Sequence, residues 1–183
     1  MPIAAPAPSG EESAQSETAR NLDRYLDEIA THHVTKPPVP QRNPQDTLRE
    51  LDQTLFKKGA CHALALELLQ EFKAAGRKAE LWYLPNREAE DVAEHVMVKT
   101  SDGFFDADFG PQTEDAVVAV WTPKGTGRPM PVSSLDDVQS PQPVPSSQIH
   151  SRLGLRLDPD FLPEARRRAR FFIAANRSSF GLP

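Results

Sequence analysis

The chain has 183 residues, a formal net charge of -5 and one cysteine. That length accommodates one domain with a real core; the acidic balance argues against general nucleic-acid binding; a single cysteine excludes an internal disulfide and a cysteine-rich zinc site. No apolar run approaches a membrane span, and the N-terminus lacks the basic start and apolar core of a cleavable signal. The expected address is the cytoplasm, or secretion without a cleaved signal peptide.

Residues 1–17 are Pro, Ala, Ser and Glu with almost no large apolar group, so they read as a disordered tail. A single α+β domain is expected over 18–183. Leu22, Tyr25, Leu26 and Ile29 recur at helical spacing, which predicts a helix over 18–31. Residues 35–42 hold three prolines and form a linker. Asn43-Pro44 then reads as a helix start, with Leu48, Leu51 and Leu55 as its buried stripe and Gly59 as its stop.

The next helix opens at Cys61 and runs to about Ala75. Leu64, Leu68 and Phe72 line one side and Leu66 and Leu69 widen it, so this helix is buried on more than one side. A thiol in its first turn feels the positive end of the helix dipole, which favours the thiolate. The thiolate is the nucleophile in acyl-transfer chemistry; a lone cysteine is equally a small buried hydrophobe. His62 is expected to be exposed, because adjacent side chains on a helix diverge.

Strands are expected at 79–85, 95–100, 104–109 and 116–121, giving a helix followed by an antiparallel sheet. Asp102-Gly103 reads as a two-residue hairpin turn with Ser101 opposite Phe104 and His95 opposite Gly110. In that register Asp106 and Asp108 share a face with His95, and the Cys61 helix would pack on that face. Residues 123–148 form an irregular excursion with a helical turn near Ser134–Val138, and 149–157 hold a further short strand. A last helix covers about 160–176. Its Arg166, Arg167, Arg168 and Arg170 read as a solvated basic face.

A thiol at a helix start, a histidine opening a strand and an aspartate on the following strand are the parts of a nucleophile–base–acid triad. Parity leaves Asp106 and Asp108 both open as the acid. Asp106 follows Phe104-Phe105 and is the more shielded of the two.

At Gly59-Ala60-Cys61, Glu94-His95-Val96-Met97-Val98 and Asp102-Gly103-Phe104-Phe105-Asp106 the chain resembles the transglutaminase-like, papain-like cysteine enzyme superfamily. The resemblance covers about residues 44–122. It implies a central helix on an antiparallel sheet, with Cys61 as nucleophile, His95 as base and Asp106 as orienting acid. Asp106-Ala107-Asp108-Phe109-Gly110 is also similar to a segment of arylamine N-acetyltransferases, although their Arg-Gly-Gly before the cysteine is not present here. Papain-type members place an oxyanion-hole glutamine six residues before the cysteine; here Leu55 stands there, and Gln53 is the nearest glutamine.

The expected function is thiol-dependent acyl transfer on a protein or peptide substrate: peptidase, amidase, deamidase or transglutaminase-like. No metal or organic cofactor and no nucleic-acid or membrane-spanning role is implied. Residues 86–93 and 123–148 are expected to form the substrate rim. Two alternatives stand beside this reading. One is a catalytically inactive member of the fold that serves as a protein-binding module, which the leucine at position 55 favours. The other is a secreted bacterial effector with the same chemistry on a host protein.

Overall fold

A computed structural model of the chain describes residues 44–89, 91–121, 127–142 and 149–183, all within the unit Asn43–Pro183. The expected tail 1–17, helix 18–31 and linker 35–42 lie outside the described residues.

Helix α1 (Pro44–Lys58) is followed at once by α2 (Cys61–Ala74). Strands β1 (Ala79–Pro85), β2 (Ala93–Thr100), β3 (Gly103–Asp106) and β4 (Phe109–Gln112) come next, then α3 (Glu114–Trp121), β5 (Met130–Pro131), α4 (Asp136–Gln139) and α5 (Phe161–Ala175), with a 3-10 turn at Arg177–Phe180. The strands form one five-stranded antiparallel sheet in the order β4-β3-β2-β1-β5. The class is α+β. No described helix is long and apolar enough to cross a membrane.

Alternation sorts the sheet into two faces. Leu81, Tyr83, Val96, Val98 and Phe105 face α2, where the Phe72 and Phe105 rings meet edge to face at 4.9 Å. Leu84, Met97 and Phe104 form the other face and pack with Val117 and Trp121 of α3. α2 lies between the sheet and α5, and also touches α1, so every residue from Cys61 to Leu69 is buried. The stripe of α1 holds at Leu55, is half-buried at Leu51, fails at Leu48 and gains Phe56. Leu55 and Phe56 are fully buried, while Leu48 is 55% exposed.

Three expected elements differ. Residues 116–121 are helical, not extended. Thr113 accepts the Ala116 N–H on its hydroxyl and the Val117 N–H on its carbonyl, and Glu114 and Asp115 occupy the first turn. This capping and dipole arrangement outweighs the β-propensity of Ala-Val-Val-Ala-Val-Trp. Its i,i+4 pair Val117 and Trp121 turns inward and Val120 outward.

The expected strand 104–109 is two strands with a turn at Ala107-Asp108. The Asp106 carboxylate accepts the Asp108 backbone N–H at 2.8 Å, an Asx-type bond that bends the chain, and Phe109 takes φ +67°. Gly110-Pro111 therefore lies within the edge strand β4, where a proline is tolerated, instead of ending the sheet. A Cβ at Gly110 would sit 2.7 Å from the Phe104 carbonyl oxygen and from the Phe105 ring.

The β2–β3 turn is Ser101-Asp102, with Thr100 opposite Gly103. Gly103, at φ +143°, is drawn into the strand in a conformation that suits only glycine. Phe104 thus faces Lys99 instead of Ser101. A shift of two keeps every side chain on its face, so the expected parity survives the changed register. The segment 149–157 holds a bridge between His150 and Arg156 instead of a strand.

The arginines of α5 are engaged within the fold. Arg166 and Arg170 both reach Glu67, a buried carboxylate on α2, at 2.5 and 3.2 Å. Arg167 pairs with Glu164 one turn away, and Arg168 lies 3.8 Å from Asp52. Arg166, Arg168 and Arg170 thus reach carboxylates of α2 and α1, while Arg167 stays on its own helix and, like Arg170, is more than half exposed as expected.

Candidate active site

Cys61 is the first residue of α2. The Ala60 N–H bonds back to the Leu55 carbonyl at 3.2 Å, closing the turn between α1 and α2 and presenting the thiol at the helix start. The side chain is buried, with 6% exposure.

His95 and Asp106 lie on adjacent strands. His95 Nε2 donates to Asp106 Oδ2 at 2.9 Å, with side-chain exposures of 1% and 4%. Asp106 Oδ1 accepts two further bonds, from the Asp108 N–H at 2.8 Å and from Gln112 Nε2 at 2.7 Å. Burial alone would raise this carboxyl; the hydrogen bond and charge of His95, the Asp108 N–H and the Gln112 amide together hold it below its ordinary range. Trp121 covers the imidazole in a near-parallel stack, centroids 4.2 Å apart and planes 19° from parallel.

By alternation His95 and Asp106 belong to the α3 face, whereas α2 packs on the opposite face. The expectation that the cysteine helix shares their layer is therefore corrected. The groups come together at the strand ends. In the β2–β3 register the position opposite His95 is Asp108, and that residue lies in the turn after β3. Cys61, His95 and Asp106, with Phe56, Leu64 and Phe105, line one void that has no room for a water molecule.

Burial pushes the Cys61 thiol up, but hydrogen bonding with His62 and His95, together with their charges, brings its pKa down to about 6. Burial pushes His95 down, but the hydrogen bonds and charges of Asp106 and Cys61 carry it up to about 9. Between these values the thiolate–imidazolium form is the favoured one, and the two titrations belong to the pair. His95 Nδ1 has no hydrogen-bond partner of ordinary geometry; it is the nitrogen left for the sulfur once Nε2 serves Asp106.

Asp108, the alternative acid, is turned away. It forms an ion pair with Lys57 and gives only its backbone N–H to the site. Leu55, at the glutamine position of papain-type enzymes, is buried in the core, and Gln53 donates to the Ala107 carbonyl at 2.8 Å. Among the described residues no group of three or more His, Cys, Asp or Glu is placed to hold a metal ion.

A scan against protein-family models and searches of curated proteins and of solved structures returned no match.

Four residues escape sequence reasoning. Gln112 follows a proline that reads as a strand end, and Trp121 sits in a segment read as a strand. Phe56 lies one place off the leucine stripe. Helix geometry alone points His62 to solvent; it is fully buried, with Nε2 2.8 Å from the Arg156 carbonyl oxygen and its ring stacked on Phe161 at 6.5 Å. The full apolar circumference of α2 is the signal that could have found it, since a helix enclosed on all sides leaves no exposed position for residue 62.

Proposed function

We propose that the chain is a thiol-dependent acyl-transfer enzyme with a Cys61–His95–Asp106 triad, of the kind found in transglutaminase-like and papain-like enzymes. The observation that carries this reading is the buried 2.9 Å hydrogen bond from His95 to Asp106 beside a thiol whose pKa is drawn to about 6. A buried carboxylate with three donors, and a buried histidine whose second ring nitrogen has only the thiol to serve, are costly to maintain for structure alone.

In the proposed reaction the Cys61 proton resides on His95 Nδ1 and the thiolate attacks an amide, ester or thioester carbonyl. The carbon–sulfur bond forms as the carbonyl π electrons move to oxygen. The oxyanion faces the first N–H groups of α2, which lack intrahelical partners at a helix start; Gln53, committed to Ala107, is not needed. His95 Nδ1 returns its proton to the leaving amine, alcohol or thiol. Water or an amine then attacks acyl-Cys61, with His95 as base. Asp106 holds the ring in the tautomer that bears hydrogen on Nε2 and stabilises its charged form. The substrate class that fits is a protein or peptide, entering once the residues that cover the thiol move aside.

The closed site favours a second reading, a binding module that retains the fold without turnover. The two separate by intact mass measurement. Incubated with activated esters, thioesters and peptide amides, the wild-type chain should gain one acyl mass, borne by Cys61, and Cys61→Ser none. Equal labelling of both chains, or no adduct with any donor, would sink the enzymatic reading.

A further inference from the structure

Three donors reach the Asp106 carboxylate, and they differ in where they are anchored. His95 Nε2 belongs to the ring that the acid serves. The Asp108 N–H lies two residues on in the acid's own chain, so it moves with Asp106. Gln112 Nε2, 2.7 Å from Oδ1, comes from the neighbouring strand β4, where Gln112 stands opposite Phe104 on the face that Asp106 shares. The same Nε2 lies 3.1 Å from the Phe109 carbonyl oxygen. Both of its hydrogens are therefore committed, one to the acid and one to the turn. A carboxylate and a carbonyl only accept, so a reversed carboxamide would set its oxygen against two acceptors. The turn is strained: Phe109, a bulky residue, takes the left-handed φ of +67°, a conformation that persists only where neighbours over-determine it. Phe172 and Phe180 hold its ring, and Gln112 holds its carbonyl. The next residue, Thr113, caps α3, the helix that brings Trp121 over the His95 ring.

We propose that Gln112 is a positioning residue of the triad, whose carboxamide fixes the Asp106 carboxylate from outside its own strand so that Oδ2 meets the His95 ring. The amide is spent on the acid and the turn, and it acts on the reaction through Asp106. Without it, Oδ1 keeps only a donor that travels with the acid, and nothing on β4 stops the carboxylate from turning. The His95 ring then loses the fixed partner that sets its tautomer and orientation. As a part in catalysis this rests on the acyl-transfer reading; as a constraint on the His95–Asp106 bond it does not.

The test compares the full wild-type chain with Gln112→Met, which keeps the length of the side chain and removes both donors, and with Gln112→Asn, which keeps an amide but stops one methylene short. The His95 Nε2–H proton, assigned in the proton spectrum by its loss in His95→Gln, reports the bond to Asp106 directly. In both variants that proton should exchange with solvent at least about 10-fold faster, and kcat on an activated ester should fall by about 10–10²-fold with KM within a few-fold, the scale of a misplaced catalytic group. Wild-type kcat with an equally protected proton in Gln112→Met overturns the proposal, whatever the melting temperature of the variant. If neither variant folds, the wild-type chain decides the matter. The Gln112 side-chain amide signals should move as His95 loses its proton at about 9, because the carboxylate they serve then carries an uncompensated charge. Amide signals flat through that range overturn the assignment. Faster exchange of the His95 proton in Gln112→Met, without acyl transfer from any donor in wild type, would sink the proposed function and leave Gln112 in place.

Discussion

His95 on β2 and Asp106 on β3 are joined by a 2.9 Å hydrogen bond with both side chains removed from water, while Asp108, two residues on, turns outward to Lys57. The two aspartates therefore differ in kind. Asp106→Asn removes the charge that favours His95 imidazolium and should lower kcat by about 10²–10⁴. Asp108→Asn touches a surface ion pair worth about 0–1 kcal/mol and should leave kcat within a few-fold. Steady-state kinetics on one activated substrate checks both; the reverse ranking would move the acid to Asp108.

Removing the imidazole should cost stability as well as activity. His95→Ala leaves Asp106 charged and buried without its main partner, a change that costs on the order of 3–5 kcal/mol. Chemical denaturation of the variant, followed by circular dichroism, should show that loss. The double variant His95→Ala with Asp106→Ala should recover part of it, because no charge remains unpaired. A single variant as stable as wild type would mean that solvent reaches Asp106 in solution.

The pH profile follows from the two shifted groups. The Cys61 thiol is lowered to about 6, so the reactive thiolate is gained as pH rises through that value. His95 is raised to about 9, so the imidazolium is lost as pH rises through that one. The profile of kcat/KM should be a bell with limbs near these values, reporting the free protein. Alkylation of the thiol, which needs only the thiolate, should keep the lower limb and lack the upper one. A lower limb near 8.5, the ordinary thiol range, would show that the ion pair does not form.

Trp121 gives an optical view of the same titration. Its indole stacks on His95 at 4.2 Å, and an imidazolium at that distance quenches indole emission more than a neutral ring. In a Trp82→Phe chain, where Trp121 is the only tryptophan, fluorescence should rise as pH passes about 9. The rise should vanish in Trp82→Phe with His95→Gln. Flat emission through that range in the first chain would contradict the stack or the raised pKa.

Gly110→Ala tests the turn that shapes the site. The added methyl would lie 2.7 Å from the Phe104 carbonyl oxygen, and such overpacking costs about 1–3 kcal/mol. A melting temperature unchanged by Gly110→Ala would show that β4 is free to shift.

Much of the architecture was legible in the residues. The α2 helix carries an unbroken apolar pattern, the β1 and β2 runs are rich in β-branched and aromatic side chains, and Gly59 and Gly76 mark the ends of helices. Parity placed His95 and Asp106 on a common face even though the hairpin register differed by two, because side-chain direction repeats with the same period. What was not legible depends on non-local contacts. Asp106 reads as a strand residue until its carboxylate is seen to accept the Asp108 N–H and end β3. The helix at 114–121 depends on a threonine cap that a β-rich run conceals. The meeting of Cys61 with His95 depends on where β3 stops, and neither helical nor strand periodicity carries that information.

Asp106 draws one hydrogen bond from a β2 side chain, one from the turn that follows it and one from Gln112 of β4. Three segments of backbone must therefore arrive in register before the carboxylate is satisfied. A strand slipped by two residues would still bury its apolar side chains correctly, yet it would carry the acid about 7 Å along the sheet from the histidine. Misaligned molecules would be nearly as well packed and chemically silent. The fraction of a preparation that forms the activated thiol would then count the correctly threaded molecules, a measure of folding fidelity that secondary-structure signals cannot supply.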